Sequence, residues 1–262
     1  MKSPSPNLSY WYRPHTAHNQ LPIVFIHGIS IGLYSYSSFL ADLKKNNADV
    51  GIIALEIMPI SFRITNPVLE KAEMCRQISL ILEAHGWDKF VLVSHSYGSV
   101  ITTHMLQTPS LANKIGPVLF IDPVAFLLHL PDVAYNFTAR SPRGANEHQL
   151  YYFASKDMMV SHALTRHFFW SENILWKEDL QGRAVTVSLG GRDLIVDTET
   201  VGRYLSGVDL VSEDVSWKER PWSTEDLNVL WFPQCDHAQV FEKKKYREQL
   251  VDAVHGYCSV QT

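Results

Sequence analysis

Lys89-Phe90-Val91-Leu92-Val93-Ser94-His95-Ser96-Tyr97-Gly98 is the stretch that decides the fold. Phe90 to Ser94 is an unbroken apolar run ending in a small residue, and the segment from Tyr97 to Gln107 has the spacing of a helix. The turn between them carries Ser94 and Gly98, small residues two before and two after Ser96. Small neighbours let a tight strand-to-helix turn form without collision and lift the central serine hydroxyl above the sheet. By itself the pattern is short, and Ser94 stands where glycine is usual, so its weight depends on what the rest of the chain supplies.

Working outward, further apolar runs repeat the theme. Leu21–Ile26, Val50–Ile57, Pro117–Ile121, Arg183–Leu189 and Asn228–Phe232 read as strands buried on both faces, and Leu8–Tyr12 reads as an edge strand. Between them lie helical patterns over Tyr34–Lys45, stopped at Asn46-Asn47, over Pro67–His85, ended by Gly86, and over Ala238–Val254. Strands alternating with helices predict an α/β fold with a mostly parallel, doubly wound sheet. Residues 123–180 interrupt this rhythm with many aromatic side chains and no clear strand. That long insertion is expected to be a helical cap over the strand ends, where open α/β sheets bind ligands. The core is then residues 1–122 and 181–262. A second, acidic insertion, Gly207–Asp226, is expected on the surface beside the last strand.

With 262 residues, 46% of them hydrophobic, the chain can bury a large core. A formal net charge of -4 gives no electrostatic footprint for nucleic acid. The basic run Lys243-Lys244-Lys245 is flanked by Glu242 and Glu248 and reads as a solvated helix face. Cys75, Cys235 and Cys258 have neither ligand spacing nor a disulfide framework, which suits reduced thiols and a cytoplasmic setting. No signal peptide and no membrane-spanning run is evident. Phosphate-binding glycine loops are absent, and the histidines of the insertion, His129, His148, His162 and His167, lack metal-ligand spacing. No metal and no cofactor is therefore expected; the oligomeric state is left open.

Acyl transfer needs a nucleophile, a base and donors for the oxyanion. Ser96 is the nucleophile candidate. His237, in Gln234-Cys235-Asp236-His237-Ala238, follows the last strand and is the base candidate. Asp193, in Gly190-Gly191-Arg192-Asp193, follows the preceding strand and can orient the imidazole, with Asp122, after Ile121, a rival for that role. Asp197 reads as a helix cap. The backbone N–H groups of Ile29 and Tyr97 are the oxyanion candidates, with Gly28 permitting close approach, His27 bracing the loop and Ser30 a possible further donor. Phe126 and Leu127, just past a strand end, are the expected substrate contacts.

These residues, in the order Ser96, Asp193, His237, resemble the α/β-hydrolase superfamily. Ile23-Val24-Phe25-Ile26-His27-Gly28 and Ser94-His95-Ser96-Tyr97-Gly98 are similar to its oxyanion strand and nucleophile elbow, and Gly190-Gly191-Arg192-Asp193 and Asp236-His237 to its acid and base loops. The likeness covers about residues 21–122 and 183–256 and extends to a fungal-type branch of the superfamily. The likeness names no substrate; with the aromatic insertion, the residues point to a serine hydrolase acting on a small-molecule ester or lactone with an apolar or aromatic body. C–C bond hydrolysis, thioester hydrolysis, lyase chemistry and a non-catalytic ligand receptor are the other uses this scaffold permits.

Overall fold

The computed structural model describes residues 3–45, 47–180, 182–209 and 211–259. Asn46, half of the expected helix stop, and Gln181, at the expected return to the core, lie outside them. Seven strands form one sheet: β1 (Ser9–Arg13), β2 (Ile23–Ile26), β3 (Ile52–Glu56), β4 (Phe90–His95), β5 (Ile115–Ile121), β6 (Val185–Gly190) and β7 (Leu227–Phe232). Their spatial order is β1-β3-β2-β4-β5-β6-β7. Only β1 runs antiparallel, pairing with β3 at the edge. The α/β-hydrolase fold expected from the sequence is the fold observed.

Every residue of β2, β4, β5 and β6 is buried, which is why these strands are continuous apolar runs instead of alternating ones. Alternation survives only in which layer each residue joins. Val24, Leu92 and Phe120 pack with α2 (Lys71–Ala84) and α3 (Gly98–Leu106), whereas Phe25, Val93 and Leu119 pack with α1 (Ser37–Lys45) and the C-terminal helix Lys244–Cys258. Each such fully buried side chain contributes about 1.5–3 kcal/mol relative to exposure. The parallel register pairs Ile26 with Ser94, His95 with Ile121, and Ile121 with Ser188, so the strands end level. Residues following β2, β4, β5, β6 and β7 therefore meet along one edge.

Two helix starts differ from expectation. Helix α2 begins at Lys71, not Pro67, because the extended segment ahead of it buries Val68 and leaves Glu70 as N-cap. The C-terminal helix begins at Lys244, not Ala238, since Ala238 has φ +67° and cannot belong to a right-handed helix. The acidic insertion is also less superficial than expected. Trp217 is fully buried, edge-on to Trp231 and against Gly202, and Trp222 Nε1 donates to Thr186 Oγ1 at 2.8 Å.

Residues 123–180 form short helices, the longest being Met158–Arg166, whose N-cap Asp157 accepts from the N–H groups of Met159 and Val160. An isolated bridge joins Phe126 to Leu175. The segment is tied to the strand-end loops: Asn136 Nδ2 donates to the Ile195 carbonyl at 3.0 Å and an Arg140 guanidinium nitrogen to that of Leu194 at 2.8 Å. No helix among the described residues is long and apolar enough to cross a membrane.

Candidate active site

Ser96 sits between β4 and α3 with φ +50°, a left-handed conformation that costs a non-glycine residue roughly 1–3 kcal/mol. Its backbone is fixed by donation from Ser96 N–H to the Ile121 carbonyl at 3.0 Å and by acceptance from Ser99 N–H at 2.9 Å. The turn leaves no spare volume. A Cβ on Gly98 would stand 2.5 Å from the Ile26 carbonyl oxygen, and one on Gly28 would stand 2.7 Å from Ser96 Cβ. Ser94, in the place where glycine is usual, is completely buried and fits beneath the turn.

His237 arrives from the loop after β7 and Asp193 from the loop after β6. His237 Nε2 lies 2.8 Å from Ser96 Oγ, and Nδ1 lies 2.7 Å from Asp193 Oδ2. The second oxygen of Asp193 accepts from Ile195 and Val196 N–H at 2.7 and 2.9 Å, so its orientation is set by its own loop. Burial disfavours the imidazolium, but the charge and hydrogen bond of Asp193 outweigh it, helped by Asp122 and Asp236, and raise the His237 pKa to about 9. The order Ser96, Asp193, His237 is thus also a spatial chain.

Asp122 lies close by without touching His237. It is buried, has φ +42°, and accepts from Gly190 N–H at 3.2 Å and from Ala238 N–H at 2.9 Å. Carboxylate and imidazole atoms of Asp122, Asp193 and His237 come within 4.8 Å of one another, a spacing compatible with a metal ion. Both ring nitrogens of His237 are, however, already directed at Ser96 and Asp193, so the imidazole has no lone pair free for a metal in this arrangement. Asp197 caps the helix Thr198–Ser206, accepting from Thr200 N–H at 3.1 Å.

Among the described residues, the N–H groups of Ile29 and Tyr97 have no hydrogen-bond acceptor. His27, whose pKa burial lowers to about 4, bridges its own loop to the end of β3: Nδ1 lies 2.6 Å from the Gly28 carbonyl and Nε2 accepts from Ile57 N–H at 2.9 Å. Ser30 Oγ donates within its loop, to the carbonyls of Gly28 and Gly32 at 3.3 and 3.1 Å.

Two hollows border the site, one lined by Ser96 and the other by His237. One, of about 450 Å³, is lined by Ser96, Tyr97, Val124, Leu128, Phe137 and Leu164 among others. A larger cleft, of about 890 Å³, contains His237, Ser30, Asn146 and Phe153. Ile29 and Ile195 border both. Phe126 and Leu127, expected to contact substrate, line neither. Phe126 is buried edge-on to Phe120, and Leu127 has φ +51° and packs on the core, so the chain turns and presents Val124 and Leu128 instead. The sequence places Asp236 in the base loop without giving it a role; its Oδ1 accepts from Leu194 N–H at 2.9 Å and His237 N–H at 2.7 Å. Its place immediately before the histidine was the available signal. Tyr36, whose hydroxyl joins Gly28 N–H to His95 Nδ1 at 3.0 and 2.8 Å, offered none.

The family model described as alpha/beta hydrolase fold matches residues 22–172. The chain belongs to the α/β-hydrolase family. The match runs through most of the helical insertion and stops before β6, so it does not include Asp193 or His237. No curated protein matches the chain. Similar solved structures include a meta-cleavage product hydrolase from Pseudomonas fluorescens IP01, 14% identical over 94% of this chain and 93% of that one, with TM-score 0.62. A Paleococcus ferrophilus monoacylglycerol lipase is 17% identical over 96% and 98%, with TM-score 0.59. Naproxen esterase from Bacillus subtilis is 14% identical over 95% and 93%, with TM-score 0.57. At these identities the likeness concerns the fold.

Proposed function

We propose that this α/β-hydrolase family member is a serine hydrolase that cleaves a carboxylic ester or lactone with an apolar body through an acyl-enzyme on Ser96. The reading rests on one observation, the chain of contacts from Ser96 Oγ to His237 Nε2 at 2.8 Å and from His237 Nδ1 to Asp193 Oδ2 at 2.7 Å. In the first step neutral His237 takes the Ser96 proton as Oγ attacks the carbonyl carbon. The carbonyl oxygen becomes an oxyanion held by the free N–H groups of Ile29 and Tyr97, donors that need no rearrangement. Asp193 accepts from Nδ1–H, selects the tautomer with its lone pair on Nε2, and stabilises the imidazolium. His237 then gives the proton to the leaving oxygen, and water attacks the acyl-enzyme by the same route in reverse.

Residues 123–180 act as the cap. The hollow beside Ser96 and Tyr97 is walled by cap side chains such as Leu128, Phe137 and Leu164, which suits an apolar acyl group. The cleft containing His237 lies where a leaving group must receive its proton.

A serine-directed fluorophosphonate should label Ser96, and labelling should vanish in Ser96→Ala. Folded wild-type protein left unlabelled at Ser96 would sink the reading. A panel of esters, lactones, thioesters and C–C bond substrates then ranks the reactions the same residues can perform.

A further inference from the structure

Asp122 is the buried carboxylate that the proposed chemistry leaves unused. It follows β5, directly behind the site, and is 1% exposed. Its two oxygens serve different loops. Oδ1 accepts from Gly190 N–H, at the end of the strand that carries the Asp193 loop. Oδ2 accepts from Ala238 N–H, the residue after His237.

The third neighbour is His95. Gly28 N–H donates to the Tyr36 oxygen at 3.0 Å, and the same hydroxyl is hydrogen-bonded to His95 Nδ1 at 2.8 Å. The far ring nitrogen, Nε2, faces Asp122. That atom is buried and, among the described residues, has no hydrogen-bond partner, lying 3.9 Å from Asp122 Oδ2. Burial holds the His95 pKa well below its ordinary value, so the ring is neutral. Asp122 thus accepts N–H groups from two loops and faces the His95 ring across a gap of 3.9 Å. Burial outweighs these donated bonds and raises the Asp122 pKa to about 7, so the carboxyl carries its charge in the more alkaline interval where His237, raised to about 9, loses its proton.

We propose that Asp122 is a positioning residue, a second carboxylate that clasps the acid and base loops together and adds its charge to that of Asp193 on His237. The geometry supports both halves. Ala238 has φ +67°, a conformation the loop must be held in for His237 to face Ser96, and the N–H that Asp122 accepts belongs to that residue. Ligand atoms of Asp122 and His237 lie within 4.8 Å, inside the range at which one charge moves another group's pKa. The titratable groups facing His237 are Asp193, Asp122, Asp236 and His95; those facing Asp122 are His95, His237, Asp193, Tyr36 and Cys235. Tyr36 links His95 to Gly28, so polar groups bonded to the loop bearing Ile29 come within 3.9 Å of Asp122.

The proposal rests on the serine-hydrolase reading and is tested by the rate of fluorophosphonate labelling at Ser96 as a function of pH. Asp122→Asn is expected to lower the high-pH plateau rate about tenfold or more. It should also move the acid limb about one unit to lower pH, because a removed negative charge makes the imidazolium easier to deprotonate. Asp122→Glu, which keeps the charge, should leave the limb near its wild-type pH. A wild-type rate in Asp122→Asn, or a slowed rate with an unmoved limb, overturns the proposal, the latter because support of the loops alone would not shift the titration. Should neither variant fold, carbon-13 NMR of the Asp122 carboxyl in wild-type protein decides. Its resonance should move over the pH interval in which His237 titrates, and a resonance indifferent to that interval overturns the pairing. Absence of labelling in wild type counts against the serine reading instead, and the carbon-13 titration needs no substrate.

Discussion

Gly28 and Ser96 are packed so closely that a Cβ on the glycine would stand 2.7 Å from the serine's own Cβ and 2.8 Å from His95 Nδ1. The loop bearing Ile29 and the turn bearing Ser96 therefore share one contact surface. Gly28→Ala must push them apart. Displacement near 1 Å at a reacting centre costs about 10²-fold, so labelling of Ser96 should fall by about that factor while thermal denaturation still reports a folded protein.

Asp193 and Asp197 separate by role. Asp193→Asn should lower kcat by about 10⁴-fold through loss of the correct His237 tautomer. Asp197→Ala removes only a helix cap, at about 0.5–2 kcal/mol of stability, with kcat unchanged. Steady-state assays of an ester substrate beside urea unfolding distinguish the two.

The pH dependence has a defined sign. His237 must be neutral to act as base, and its pKa is raised to about 9 because Asp193 outweighs the effect of burial. kcat/KM should then rise with pH along a limb lying above about 6.5, the unperturbed imidazole value. Because the folded pKa exceeds the unfolded one, the stability His237 contributes is full below about 6.5 and is lost as pH rises through its folded value. Thermal denaturation of wild type and His237→Gln across this window should converge at alkaline pH. A limb at or below the ordinary value contradicts the account.

Trp217 is fully buried between Gly202 and Trp231. Trp217→Ala should cost about 3–5 kcal/mol of folding free energy, measured by denaturant unfolding. It lines neither hollow, so KM should not change.

Leu164 and Phe137 wall the hollow of about 450 Å³ beside Ser96. Leu164→Trp should lower kcat/KM for long acyl chains more than for short ones, by about 10–200-fold, the range that pocket shape alone commands. An acyl-length series on one alcohol reads this directly.

Much of the fold was legible because strands buried on both faces have no polar alternation to obscure them. Ser96, Asp193 and His237 were legible because each stands just past such a strand. Which aspartate meets His237 was open between Asp193 and Asp122 for the same reason: both follow strands, and only the direction of each side chain separates them. Phe126 and Leu127 failed on a local conformation, φ +51° at Leu127, which no spacing announces. The helix start at Ala238 failed in the same way. Trp217 was read as superficial because the charged residues around it concealed the glycine cradle at Gly202, which only tertiary structure brings beneath it.

Asp236 accepts from Leu194 N–H and from His237 N–H with the same oxygen. With Arg192 N–H donating to the Cys235 carbonyl at 2.9 Å, this ties the Asp193 and His237 loops together locally, across the forty or so residues of chain that join them. Within it, the turn around the exposed Val211 lines neither hollow. A foreign segment spliced into that turn should leave Asp193 and His237 in register.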